Sequence, residues 1–315
     1  QYIILIIAYM IPVVWLAVKQ TGVPIPQVIY GQQLEKVGTL EKKLTDDAKE
    51  KEVRKIFADR AAAATEALKD PAKSYADGKA NLEKAIADAK AADPVDEAKV
   101  KAAEAALAAY PKDQAAATAQ WTRERGAAGR AAPPLIHGEA FPGKDDAARD
   151  VARRNFLALV FCLMVGTAAL PHILMRYYTT PSVREARSSV TWSLFFIFLL
   201  YFTAPALAVL VKYVMYSDVV GTAFSSLPAW VQNWQRVDPT LLSITDVNKD
   251  GIVQLAEIAI GGDIVVLATP EIAGLPYVIS GLVAAGGLAA ALSTADGLLL
   301  TIANALSHDL YYKMI

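Results

Sequence analysis

The chain has 315 residues, 54% of them hydrophobic, and its 31 basic and 32 acidic side chains leave a formal net charge of -1. Near-neutrality excludes the strongly basic footprint of a nucleic-acid partner, and the single cysteine, Cys162, excludes an intrachain disulfide while leaving the redox compartment open. The charge is unevenly spread: 21 of the basic and 22 of the acidic residues fall between Glu35 and Asp150, so one polar block interrupts an otherwise apolar protein.

The chain opens on QYIILIIAYMIPVVWLAVK, an apolar helix with no initiator Met and no basic leading region. It does not have the form of a signal peptide, and the chain is expected to be an internal segment of a longer protein. Crossing a bilayer core of roughly 30 Å takes about 20 apolar residues. Four runs meet that length: Tyr2 to Val18, Phe156 to Met175, Val190 to Val211 and Ile279 to Leu306. Any one of them alone would also suit a buried helix of a soluble protein, but four together point to an all-α membrane protein.

Residues 1–34 hold the first span and its exit. Residues 35–150 are rich in Ala, Lys, Glu and Asp, with Pro71, Asp93-Pro94 and Pro111 as punctuation, and read as several helices of a solvated insertion. Leu82, Ile86 and Ala89 recur at helical spacing, yet no heptad persists for three repeats. From Gly126 to Gly143 the composition turns to Gly and Pro, a linker back to the membrane. Residues 151–214 carry the second and third spans. The loop between them, 176–189, holds Arg176, Arg184 and Arg187 against one Glu185, which by charge asymmetry places it in the cytoplasm. Residues 35–150 and 215–275 then lie outside, and 276–315 return inward through the fourth span. The lysines of the insertion do not oppose this, because long loops translocate largely regardless of charge.

In the second span Gly166, Thr167, Pro171 and His172 interrupt the apolar run. A proline removes a ladder hydrogen bond and frees carbonyls for a ligand; a kink absorbed by packing alone is the other reading. His172 suits either a substrate contact or a satisfied core position, and Arg176 either an interfacial anchor or a carboxylate binder.

The segment from Asp246 to Glu257 fits a twelve-residue EF-hand loop. Oxygen-bearing side chains stand at its first, third, fifth, ninth and twelfth positions (Asp246, Asn248, Asp250, Gln254 and Glu257), with Gly251 sixth and Ile252 offering a carbonyl at the seventh. Calcium is the expected ion. A polar turn that binds nothing is the alternative, since no long helix is evident before Asp246 and no paired second loop is present.

The fourth span places Ser293, Thr294, Asp296, Thr301 and Asn304 in apolar sequence, where polar side chains are expensive unless they face a bundle interior or a water path. Ser293, Asp296 or Gly297, Thr301, Asn304 and His308 follow one helical stripe, while Gly281, Ala285, Gly286, Gly287 and Ala290 supply close-packing surface. Ser293 and Thr294 could instead merely bond their own helix carbonyls. No G-x-S-x-G, H-E-x-x-H or phosphate loop occurs, and the three histidines are scattered, so nothing marks an enzyme.

The pattern AAALSTADGLLLTIANALSHDLY, with paired hydroxyls sixteen residues before Asp309, resembles the eighth core helix of the solute:sodium symporter family. GTAALPHILMRYYTTPSVREARSSV resembles that family's substrate-side helix and the cytoplasmic loop after it. YGQQLEKV followed by the long polar block resembles the insertion of its acetate-permease-like branch. The resemblance implies part of a LeuT-type inverted-repeat core, four transmembrane helices with a helical polar insertion, in a cell (inner) membrane. It implies a sodium site to which Ala290 contributes its carbonyl and Ser293 and Thr294 their hydroxyls, completed by helices outside this chain. Asp296 has no assigned counterpart; a second cation ligand or a proton carrier are its two readings. The implied substrate is a small organic anion, a short monocarboxylate such as acetate. A membrane sensor, whose insertion and calcium loop bind a partner, is the competing function.

Overall fold

The computed structural model describes residues 2–91, 97–134, 137, 139–177 and 179–314. Asp93, Pro94 and part of the Gly/Pro linker lie outside the described residues, as does the Arg176 side chain. In chain order the helices are α1 (Tyr2–Thr21), α2 (Pro26–Asp46), α3 (Ala48–Ala67), α4 (Pro71–Ala91), α5 (Glu97–Ala109), α6 (Gln114–Gly126), α7 (Asp146–Ala168), α8 (Pro171–Tyr177), α9 (Val183–Val214), α10 (Ala229–Val237), α11 (Ile264–Ala273) and α12 (Tyr277–Asn304). Two short strands, β1 (Leu242–Ile244) and β2 (Ile258–Ile260), pair with each other. The chain divides into two compact units, 1–43 with 135–244 and 259–315, and 44–134 with 245–258.

In the first unit four helices are long and apolar enough to cross a membrane, over Ile4–Thr21, Asp146–Ala168, Val183–Val219 and Tyr277–Tyr312. Its core forms where α1, α11, α12 and the C-terminal half of α9 meet. Val13, Leu16, Leu210 and Ile264 are fully buried there. Gly286 shows why α12 can lie against α1: a Cβ at that position would stand 3.1 Å from the Ala8 side chain, and small residues are what let two helix backbones approach. The helix ends are tied as well. Gln20 donates to the Leu210 carbonyl at 2.9 Å, and Gly274, at φ +76°, closes α11 in the left-handed cap that glycine accepts without strain. By contrast α7 has no buried residue, and Phe161 and Met164 are each 69% exposed.

The apolar run expected as one second span, Phe156 to Met175, is two helices. α7 begins earlier, at Asp146, because the Asp145 side chain accepts the Ala148 N–H at 2.7 Å and caps it. It stops at Ala168, ahead of Pro171, which starts α8. Proline suits a first helical position because it lacks the N–H that would be unpaired there.

The second unit is helical, with α3, α4, α5 and α6 and a short 3-10 turn at Ala127–Ala131. The Asp47 carboxylate caps α3 by accepting from Lys49 and Glu50. Val53, Phe57 and Ala256 form a buried cluster against which Ala127, Ala131 and Val247 pack. α4 and α5 lie together without a fully buried residue, held by Tyr75 stacked on Tyr110 and by a Lys90–Glu104 ion pair at 2.7 Å. Half-buried positions recur along α4 at Pro71, Ser74, Tyr75, Gly78, Leu82, Ile86 and Ala89, at helical spacing.

Candidate functional site

The stripe on α12 is built by helix periodicity. Ala290, Ser293, Thr294, Gly297 and Thr301 fall on neighbouring turns of one face. The Thr294 hydroxyl lies 3.4 Å from the Ala290 carbonyl oxygen and the Thr301 hydroxyl 2.9 Å from that of Gly297. Gly297 is buried and Ser293 and Thr301 are half-buried, whereas Thr294, Asp296, Asn304 and His308 are exposed. The hydroxyls thus bond their own helix, and two of the three oxygens expected to hold sodium sit next to each other. A helix presents such oxygens along one side only, so a cation resting there needs further ligands from another element. Asp296 falls on the flank of the stripe, a turn beyond Ser293. After Asn304 the helix widens into a π-helical stretch, Ala305–Tyr312.

The break in the second span lies close to this helix, since α8 packs on α12. The Ala169 N–H donates to Val165 at 3.0 Å, and Leu170 reaches Thr167 only at 3.5 Å. Pro171 has no N–H to extend the ladder. Gly166 and Thr167 are exposed at the end of α7. His172, in the first turn of α8, is half-buried, and its Nδ1 has no hydrogen-bond partner among the described residues.

A polar cluster that the sequence did not announce lies at the end of α9. The Glu41 carboxylate on α2 accepts from Lys212 at 2.8 Å and from the Tyr216 hydroxyl, and the His137 Nε2 stands 3.1 Å from that carboxylate and 2.6 Å from the Lys212 ammonium. The Lys212 ammonium stands 5.2 Å over the Tyr216 ring. Burial alone would raise the Glu41 pKa, but the hydrogen bonds from Lys212 and Tyr216 and the charges of Lys212 and His137 outweigh it, so the carboxyl titrates below its ordinary range. The trace in the sequence was the spacing of Ile29, Gln33, Val37 and Glu41, the buried face of α2, where two polar residues interrupt the apolar pattern.

In the second unit the Asp246–Glu257 segment is a closed loop, entered from β1 rather than from a long helix. Gly251 adopts φ +77°, and an added Cβ would meet nothing within 4 Å, so backbone conformation and not space asks for glycine. Asp246 accepts from the Gly251 N–H at 3.0 Å, Asn248 from Asp250 at 3.2 Å and Asp250 from Ile252 at 2.9 Å. Glu257, fully buried, accepts from Val247 at 2.6 Å and from Gln254 at 3.0 Å. Burial pushes the Glu257 carboxyl above the ordinary glutamate range; the Val247 and Gln254 amides pull it down and the Asp246 charge pushes it up. Among the described residues no three His, Cys, Asp or Glu side chains already converge on one metal position.

Four long apolar helices, one broken at a proline and another carrying a hydroxyl stripe, define a multi-pass helical membrane protein. Its sequence is 48% identical, over all 315 residues, to an uncharacterized symporter of Cupriavidus necator, of which it covers 46%. It is also 28% identical over 174 residues to a monocarboxylic acid transporter of Corynebacterium glutamicum, covering 55% of this chain and 25% of that protein. The chain therefore spans less than half the length of these relatives. No family profile and no solved structure matches it.

Proposed function

We propose that the complete protein is a sodium-coupled symporter that imports a short monocarboxylate such as acetate, built on a LeuT-type inverted repeat. The observation that supports this reading is the 48% identity, along the whole of this chain and 46% of the relative, to an uncharacterized symporter. The similarity to a monocarboxylic acid transporter supports the substrate class. In this reading the Ala290 carbonyl and the Ser293 and Thr294 hydroxyls supply one side of a sodium site, and transporter helices beyond this chain supply the other. The carboxylate solute binds at the opening between α7 and α8, where Gly166 and Thr167 leave backbone accessible and the free Nδ1 of His172 can serve as a polar contact. Asp296 acts at the edge as a second cation ligand or as a proton carrier.

Residues 35–150 and 215–275 are extracytoplasmic, the protein sits in the cell (inner) membrane, and lipid or further helices cover its exposed apolar faces. Sodium stabilises the arrangement in which the solute site is complete, so each ligand raises the affinity of the other by the same factor. Labelled-acetate uptake by the complete transporter in proteoliposomes tests this. Uptake driven by an inward sodium gradient and competed by other short monocarboxylates is expected; uptake indifferent to sodium would overturn the coupling. Acetate binding without any uptake would favour the sensor reading.

A further inference from the structure

The loop at residues 246–257 is part of a unit whose other part, residues 44–134, lies more than a hundred positions away in sequence. One side chain makes the join specific. Glu50 of α3 is 2% exposed, and both of its carboxylate oxygens lie 3.1 Å from the Ala256 N–H. Arg54, one turn on, pairs with Glu50 and donates to the carbonyls of Arg130 and Ala132. Glu50 thereby grips the Leu255–Ala256 peptide, one peptide short of Glu257.

The loop also keeps oxygen atoms in reserve. The Asp246 Oδ1 is buried with no hydrogen-bond partner, and so is the Oε1 of Gln254, a residue only 6% exposed. Gln254 is drawn across the loop by its amide, which donates to Asp250 at 2.9 Å. An unpaired buried acceptor is expensive to keep, and both of these sit at proposed ligand positions of the loop, the first and the ninth. The oxygens already holding backbone N–H groups are not consumed, because each carboxylate oxygen has a second lone-pair direction. Seven-coordinate oxygen binding at 2.3–2.6 Å suits calcium, whereas magnesium demands a tighter octahedron and gives up its waters reluctantly.

We infer that this loop binds one calcium ion through Asp246, Asn248, Asp250, the Ile252 carbonyl, Gln254 and Glu257, and that the ion clasps the unit by fixing the turn that Glu50 of α3 holds. Calcium draws Glu257 towards Asp246 and Asp250, the last turn of the loop becomes rigid, and the Ala256 N–H is presented to Glu50 in one position. Binding of the ion and docking of α3 are then linked. Glu50 touches no ion; it is a positioning residue. An affinity of order 10⁻⁴ to 10⁻³ M would match a single extracellular loop. The inference does not depend on the transport reading.

The test uses the complete protein in detergent, with radiolabelled calcium binding in excess sodium and magnesium and with hydrogen exchange of residues 48–67 as a second readout. One ion per chain is expected. Glu257→Gln, which keeps shape and acceptor capacity on one oxygen, should weaken binding at least tenfold, and calcium should slow exchange in α3 of the wild type but not of that variant. Matching exchange of the two proteins without calcium establishes that the variant folds, and Asn248→Ala provides a milder second lesion. Absence of saturable binding, or binding indifferent to Glu257→Gln, would overturn the site. Binding through Glu257 that leaves α3 exchange unchanged would overturn the clasp.

Discussion

The hydroxyl stripe of α12 and the loop at 246–257 both gather oxygen atoms suited to a hard cation, but they need very different amounts of protein to do so. A helix rises about 1.5 Å per residue and turns its side chains outward, so Ala290, Ser293 and Thr294 can offer oxygens from one side only. The loop curls back on itself. Lys249 at φ +62° and Gly251 at φ +77° turn the chain back within the twelve positions, so the proposed calcium ligands come from one short stretch of backbone. The sodium site proposed on α12 would therefore be shared between elements and would open and close as they move, whereas the calcium site proposed in the loop would be self-contained and would stabilise the unit it is fastened to.

The sharpest way to break that comparison is to exchange the lesions. Ser293→Ala with Thr294→Ala should weaken sodium binding roughly tenfold to a hundredfold, at about 1.4 kcal/mol per factor of ten, while radiolabelled calcium binding stays as in the wild type. Loss of both would mean that the two sites are one system. Next in size, Pro171→Ala restores the missing N–H and lets α7 and α8 fuse, so acetate uptake should fall several-fold with protein yield unchanged; unimpaired uptake would reduce the break to a packing kink. Glu41→Gln addresses the cluster with Lys212, His137 and Tyr216. Its folded-state pKa is depressed, so the ionised carboxylate stabilises the protein above its unfolded pKa, and that contribution disappears as pH falls through the folded value. The variant should melt a few degrees lower at neutral pH and converge with the wild type in acid; a constant gap would point to packing instead. Smallest of all, Asp296→Asn should shift the sodium half-saturation of uptake by about twofold or less, because Asp296 sits beside the stripe and not on it. A tenfold shift would promote it to a primary ligand.

The sequence made the membrane helices visible because burial in lipid demands unbroken apolar length: three of the expected spans lie within long helices, and the second is a long helix, Asp146–Ala168, that stops short of the expected end at the break before Pro171. Their ends were harder to see. Asp145 and Asp146 belong to the polar block by composition but to α7 by capping. In the loop, the candidate oxygens and their spacing are local properties, visible within twelve residues. The bond from Ala256 to Glu50 could not, because the two are 206 positions apart and no local pattern encodes their meeting. A hint existed in the buried face of α3, where Glu50 and Arg54 share the spacing of Val53, Phe57, Ala61 and Ala64. Two opposite charges on such a face pass for solvated residues until their partners are seen. Glu41 was hidden in the same way.

The central claim is that α12 carries one half of a sodium site coupled to a carboxylate site. Equilibrium binding of labelled acetate to the complete protein, with sodium present or replaced by choline, tests it most directly. The account predicts tighter acetate binding in sodium, with the difference erased by Ser293→Ala/Thr294→Ala. Acetate affinity that is the same in sodium and choline, or a sodium effect that survives in the double variant, would contradict it.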